Sequence, residues 1–331
     1  MERKRKEQPS PILAMASETV SNLPIVDLTK EILKPNTTSW NQACADVRGA
    51  LEEHGCFLAL YDQVPSELNK EVFDLLKDLF DLPLETKVKN SSDLAFYGYV
   101  GQLPHAPLHE SLGIPDATTV EGVERFSNLM WPSGNKRFCD AVLSYAKSMA
   151  ELERLVNKMV FQSYGAQKHL EQLVESTTYL LRPIKYTTPQ QDTGNSNMGS
   201  NIHTDKSFLT IIHQNQVNAL RVQARNGEWI NVDFPPNSVV VMAGDAYEAW
   251  SNGRIKPPRH QVIMMKGDNP RYCLTFFSFN QGVIDIPEEL VDQLHPLQFK
   301  PFDHMGLVKY YLTGKVDMLE STAKAYCGIK A

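Results

Sequence analysis

Two histidines, an aspartate and an arginine are the residues whose types and spacing could do chemistry here: His203-Thr204-Asp205, then His260, then Arg271. Two imidazoles and one carboxylate can grip a transition metal such as Fe(II) on one face and leave the opposite coordination positions open. Residues i and i+2 of a strand point to the same side, so the spacing predicts that His203 and Asp205 open a strand and hold one ion together. Arg271 follows His260 after one tight turn at residues 267–270, and an antiparallel return would carry it into the same cavity. A guanidinium fork there pairs with a carboxylate in bidentate fashion, so the set asks for an anionic co-substrate.

The elements that must position these residues can be read from periodicity. Residues 23–28 form a strand, and Ser39 to Gln42 has the capping-box spacing that starts a helix carrying Trp40, Ala43, Cys44, Val47 and Leu51 up to Gly55. A strand at 56–61 follows, then an amphipathic helix through Leu68, Val72, Leu75, Leu76 and Leu79, ended before Pro83. From 93 to 132 the periodicity is lost among Gly, Pro and aromatic residues, which predicts a long active-site loop or lid. Phe138, Val142, Tyr145, Met149, Leu152, Val156 and Met159 mark a long helix that ends near Gly165.

After Tyr179 the character changes to short β-rich runs at 209–213, 220–224, 229–232, 238–242, 261–264 and 271–279, with a hairpin signal at Asn226-Gly227. Runs this short and evenly spaced predict an α+β fold: a double-stranded β-helix (jelly-roll) core, an N-terminal mixed α/β region and flanking helices. The expected organisation is an extension at 1–22, the mixed region at 23–132, and the backing helix, jelly roll and C-terminal helices at 133–331, all in one compact unit. The two histidines and the aspartate then converge at one end of the barrel.

Composition excludes several classes. The 331 residues carry a net charge of −6, and the one basic run is Arg3 to Lys6, which argues against a nucleic-acid partner. No apolar run approaches the roughly 20 residues of a membrane span. Five cysteines, widely spaced and without a CxxC pair, indicate reduced thiols and neither a disulfide framework nor a zinc knuckle. A cytoplasmic monomer is expected, with Met15 placed as an alternative start.

In their order, Leu-Pro-Ile-Val-Asp at 23–27, His54-Gly55-Cys56-Phe57, the HxD pair, His260 and Arg271 make the chain resemble the plant soluble Fe(II)/2-oxoglutarate-dependent dioxygenases from Leu23 onward. His203-Thr204-Asp205-Lys206-Ser207, Asn226-Gly227-Glu228-Trp229, Val241 to Ala246 and Ala325-Tyr326-Cys327-Gly328 are similar to the specialised-metabolism clade that contains glucosinolate side-chain and steroidal-alkaloid hydroxylases. The resemblance implies Fe(II) on His203, Asp205 and His260, and 2-oxoglutarate on Arg271, Tyr186 and Cys273. Oxygen is the second co-substrate, ascorbate the expected reductant, and succinate and CO2 the co-products.

Three positions depart from that family's pattern. Cys273 stands where a serine is usual, so a weak thiol donor replaces a hydroxyl. The common Asn-x-Tyr becomes Ile184-Lys185-Tyr186, and Gln261 replaces the arginine after the distal histidine, with Arg259 on the other side.

Arg271, Cys273, Thr275, Phe277 and Phe279 alternate and should share the face that lines the cavity. Phe277 is the preferred aromatic contact to substrate, with Phe279 beside it. Phe96, Tyr97, Tyr99, His105 and His109 belong to the stretch that could cover the mouth, and Tyr247 and Trp250 are weaker candidates. His213 is ten residues from His203, about 33 Å along a straight strand, and reads as a packed or solvated histidine. Little cationic charge around the mouth points to a small, mostly apolar molecule: an alkaloid, terpenoid, phenolic or auxin-like acid. Hydroxylation is the default, with desaturation, ring closure, demethylation or inactivation of an auxin-like hormone at the same centre as alternatives. A non-catalytic metal-binding jelly roll or a zinc hydrolase would not need Arg271.

Overall fold

Side chains along the central strands sort alternately between two cores, and that sorting defines the architecture of the computed structural model. The structure describes residues 23–29, 34–94, 96–190, 197–267, 269–316 and 320–329. The basic run, Met15 and the extension expected at 1–22 lie outside them.

The N-terminal part builds one edge of the large sheet. Strand β1 (Ile25–Asp27) runs parallel to β2 (Cys56–Leu60), with α1 (Thr38–His54) between them. Helix α1 starts one residue before the expected serine, because the Thr37 hydroxyl accepts the Trp40 N–H at 3.1 Å. Gly55 ends it at φ +75°, where a Cβ would meet the Lys256 carbonyl oxygen at 2.3 Å, so glycine is required on two counts. Helices α2 (Ser66–Phe80) and α3 (Leu84–Lys87) follow.

Residues 93–132 are not the irregular loop that their composition suggests. They contain β3 (Val100–Leu103), β4 (Ala106–Ser111), β5 (Ile114–Pro115) and α4 (Val120–Met130). The strands are too short for their alternation to stand out among glycines and prolines. Helix α4 is capped by Thr119, whose hydroxyl accepts the Gly122 N–H at 3.0 Å, and it buries Val123, Phe126 and Met130. Next come α5 (Lys136–Ser163) and the short α6 (Leu170–Ser176).

The jelly roll is formed by β6 (Thr177–Tyr186), β7 (Met198–His203), β8 (Leu209–Gln214), β9 (Leu220–Gln223), β10 (Trp229–Asn231), β11 (Ser238–Ala243), β12 (His260–Ile263) and β13 (Arg271–Asn280), with α7 (Asp245–Trp250) after β11. Among the described residues the large sheet has the order β1-β2-β11-β8-β13-β6-β4-β3, with β5 also on β6. The opposing sheet is β10-β9-β12-β7. The β9–β10 turn holds Gly227 at φ +90°, as the Asn-Gly signal requires. A small ribbon of β14 (Val283–Ile284) and β15 (Phe302–Asp303), then α8 (His304–Leu312) and α9 (Thr322–Cys327), complete the described chain.

One expectation changes here. Strands β12 and β13 are not a hairpin: β12 pairs with β7 and β9, whereas β13 pairs with β6 and β8 in the other sheet. The turn between them crosses the barrel, as a jelly roll requires of strands adjacent in sequence. The long strand β6 had no separate reading in the sequence, being apolar on both faces and interrupted by Arg182 and Pro183.

Helices pack on one face of the large sheet. Phe57, Val241, Ile211, Leu274, Phe276 and Leu181 meet the apolar stripe of α5 in the outer core. Their neighbours Leu58, Val240, Ile212, Cys273 and Ile184 turn inward, against Leu220, Val222 and Val262 of the opposing sheet. His213 belongs to the outer face, where it stacks on Tyr145 and meets Phe73 edge-on at 5.2 Å, a packed histidine.

Candidate active site

His203, Asp205 and His260 come together with ligand atoms all within 4.8 Å of one another. Strand pairing does part of this, since His203 and His260 are direct partners across β7 and β12 and their rings are 4.2 Å apart. Asp205 arrives by another route than the sequence suggests. His203 is the last residue of β7, not the first of a strand, and Asp205 lies in the loop before β8. The turn at Thr204, not strand alternation, brings Asp205 Oδ1 to 3.6 Å from His203 Nε2 and 3.7 Å from His260 Nε2.

The loop is held from three sides. The Asp245 N–H donates to the Asp205 carbonyl at 2.8 Å. Lys206 Nζ donates to the Thr204 carbonyl and hydroxyl at 2.8 Å each and pairs with the buried Asp245 carboxylate at 2.7 Å. His304, at the start of α8, donates from Nε2 to the Lys206 carbonyl at 2.9 Å. Gly244 lets α7 approach, because a Cβ there would sit 2.0 Å from the Ser207 carbonyl oxygen.

The donor set fits a metal ion. Nδ1 of His203 donates to the Asn201 carbonyl at 2.7 Å and Nδ1 of His260 to the Pro258 carbonyl at 3.3 Å, which fixes the tautomers and leaves each Nε2 with a free lone pair. Burial, then the neighbouring His203 imidazole, hold the His260 pKa below its ordinary value, so the ring is neutral as ligation requires. Asp205 Oδ2 is buried without a hydrogen-bond partner, a cost that a cation would remove.

Inward residues of the large sheet line the cavity in rungs. The first is Arg271, Tyr186 and His109, successive partners across β13, β6 and β4. Arg271 is 1% exposed, its Nε donates to Gln214 Oε1 at 2.7 Å, and its guanidinium lies 5.2 Å from the Tyr186 ring centre. The second rung is Gln214, Cys273, Ile184 and Ser111. The third is Ile212, Thr275 and Arg182, and the fourth Thr210, Phe277 and Leu180. Burial pushes the Cys273 thiol up to about 11, so it stays protonated.

The other expected residues divide. Phe277 and Phe279 form an apolar cluster with Leu180, Val308, Tyr97 and Met305, and Tyr97 lies 5.8 Å from Phe279. Phe96 is half exposed at φ +68°, with the Arg182 guanidinium 5.8 Å from its ring. Tyr99 is elsewhere: it packs on the outer core and donates to Glu110 at 3.0 Å. His105 is exposed in the β3–β4 turn. Tyr247 and Trp250 are core residues, with the Tyr247 hydroxyl on Asn157 and Trp250 stacked on Phe161 at 4.2 Å.

Gln214, Ser111 and Arg182 were missed. Alternation from Arg271 would not have found them, because they stand on neighbouring strands whose register the sequence does not state. Arg182, whose guanidinium lies 5.8 Å from the ring of the half-exposed Phe96, also corrects the expectation of little cationic charge around the mouth. His109 beside it is lowered to about 3, by burial first and then by the Arg182 guanidinium, and is therefore neutral.

Comparison with known proteins agrees with this geometry. The profile of the 2OG-Fe(II) oxygenase superfamily matches residues 178–280, and that of the non-haem dioxygenase in morphine synthesis N-terminal region matches residues 23–112. The probable 2-oxoglutarate-dependent dioxygenase AOP1 of Arabidopsis thaliana is 41% identical over 88% of this chain and 97% of its own length. The 2-oxoglutarate-dependent dioxygenase AOP3 of the same plant is 32% identical over 93% and 98%. The crystal structure of a rice dioxygenase for auxin oxidation superposes with a TM-score of 0.77 at 27% identity, covering 92% of this chain and all of that one. The chain belongs to the 2OG-Fe(II) oxygenase superfamily and is an Fe(II)- and 2-oxoglutarate-dependent dioxygenase.

Proposed function

We propose that this dioxygenase oxidises, in the simplest case hydroxylates, a small and mostly apolar plant specialised metabolite, releasing succinate and CO2. His203, Asp205 and His260 would hold Fe(II), which when bound supplies oxygen activation coupled to decarboxylation of 2-oxoglutarate. Arg271 takes the far carboxylate of 2-oxoglutarate, with Gln214 fixing the plane of its guanidinium and Tyr186 and Cys273 beside it. Phe277, Phe279 and Tyr97 offer the substrate an apolar wall near the rim, and Phe96 covers part of the mouth, which keeps water from the reacting centre. The enzyme is read as a cytoplasmic monomer; among the described residues no helix is long and apolar enough to cross a membrane.

The observation that carries the reading is a carboxylate and two oriented imidazoles brought together, with Asp205 Oδ2 left buried and unpartnered, and a buried arginine on the facing sheet. Succinate formation from 2-oxoglutarate, measured with Fe(II) and oxygen across a panel of plant metabolites, should rise above the uncoupled level for an apolar member. His260→Ala should lower metal affinity and succinate formation about 100-fold or more. Coupled turnover of highly polar sugars alone would overturn the assignment of an apolar substrate.

A further inference from the structure

A second buried guanidinium in the cavity stands apart from the three metal ligands and from Arg271. Arg182 of β6 lies opposite Thr275, on the inward face shared with Ile184 and Tyr186, and is 4% exposed. Its Nη2 donates to the Ser111 hydroxyl, and its guanidinium lies 5.8 Å from the centre of the Phe96 ring. Nη1 is buried with no hydrogen-bond partner. No carboxylate among the described residues pairs with it, and the loss of water lowers the guanidinium to about 10.

A guanidinium carries five N–H donors in a planar fork that matches a carboxylate. Buried away from an anion it is costly, and an aliphatic side chain would fill the same space without that cost. Arg271 is accounted for by Gln214 and the co-substrate. Arg182 stands two rungs away, about 13 Å along the strand, on the way to the aromatic cluster at the rim. The cavity thus has two cationic positions, the outer one next to the apolar wall assigned to substrate.

We propose that Arg182 binds the anionic group of the organic substrate, so that the substrate is a small apolar acid whose carboxylate meets Arg182 while its ring system packs on Phe277, Phe279 and Tyr97. The inference rests on the apolar-substrate reading above and adds a charge to it.

The test uses matched ligands that differ in charge and little else: phenylacetate, cinnamate and indole-3-acetate, each against its primary amide, titrated into enzyme loaded with Mn(II) and 2-oxoglutarate. At least one acid should bind about 10- to 100-fold more tightly than its amide. Arg182→Gln should erase that preference while 2-oxoglutarate binding to the Mn(II) enzyme is unchanged, which also shows that the variant is folded. Arg182→Lys should retain part of the preference. The inference is overturned if neither acids nor amides bind, if no pair shows a preference, or if the preference survives in Arg182→Gln. It is overturned equally if 2-oxoglutarate affinity falls in Arg182→Gln as far as in Arg271→Gln, since Arg182 would then belong to the co-substrate site. Failure of the dioxygenase reading looks different, because the wild-type enzyme would then form no succinate with Fe(II) and oxygen.

Discussion

Cys273 is the residue where this cavity differs most in chemistry from its family's pattern. It lies between Gln214 and Ile184 on the inward face, 1% exposed among aliphatic side chains. A protonated thiol tolerates that setting, whereas a hydroxyl there needs a partner. Cys273→Ser is therefore expected to destabilise the enzyme without co-substrate by about 1–3 kcal/mol. The same change should leave turnover intact and preserve or tighten 2-oxoglutarate binding, because the bound carboxylate completes the hydroxyl's hydrogen bond. Melting temperatures with and without 2-oxoglutarate check this; complete loss of activity would instead give the thiol a specific role. At this scale the three metal ligands and Arg271 were legible in the sequence, since residue type and spacing state their chemistry. Arg182 was not, because an arginine in an apolar strand announces neither its burial nor its unpaired Nη1.

The element that matters most for the site is the loop between β7 and β8, and its geometry depends on a glycine outside it. At Gly244 a Cβ would meet the Ser207 carbonyl oxygen at 2.0 Å, and backbone cannot yield as a side-chain tip can. Gly244→Ala should cost on the order of 1–3 kcal/mol of stability and weaken Mn(II) binding, because the displaced loop carries Asp205. Gly49, exposed on α1 with nothing within 4 Å of its Cβ position, is the contrasting case. Gly49→Ala should be neutral or stabilise by about 0.5–1 kcal/mol and leave metal binding unchanged. Thermal melts and metal titrations of the two variants test the pair; equal effects would refute the steric argument. Helices and most core strands were readable because their periodicity is long or strongly apolar. The elements within 93–132 and the crossing between β12 and β13 were not, since short strands lack a clear period and sheet membership is set by tertiary pairing.

On the scale of the whole molecule, α5 and the large sheet share a buried carboxyl group. Glu153 of α5 is 2% exposed and accepts hydrogen bonds from Asn157 at 2.7 Å and from the Tyr179 hydroxyl of β6 at 3.2 Å. Burial raises its carboxyl from 4.5 to about 7. The folded state thus holds a proton that the unfolded chain releases near 4.5, so this contribution is complete below that pH and is lost as pH rises through about 7. Glu153→Gln removes the titration, at the loss of one accepted hydrogen bond. The stability of the variant relative to wild type should therefore improve between about pH 5 and about pH 8, by on the order of 2–3 kcal/mol. Chemical denaturation at the two pH values measures it, and a pH-independent difference would contradict the assignment. The clamp of His304 on the loop of Asp205 has a consequence in time: its two ends, Lys206 and His304, are 98 residues apart in the chain. During synthesis both imidazoles emerge before the anchor that fixes their carboxylate partner, and unanchored imidazoles favour Cu(II) and Zn(II) over Fe(II). Discrimination for iron is then a property of the finished fold rather than of the motif. Refolding with Zn(II) present from the start should trap more inactive enzyme than adding the same Zn(II) after Fe(II)-loaded folding is complete.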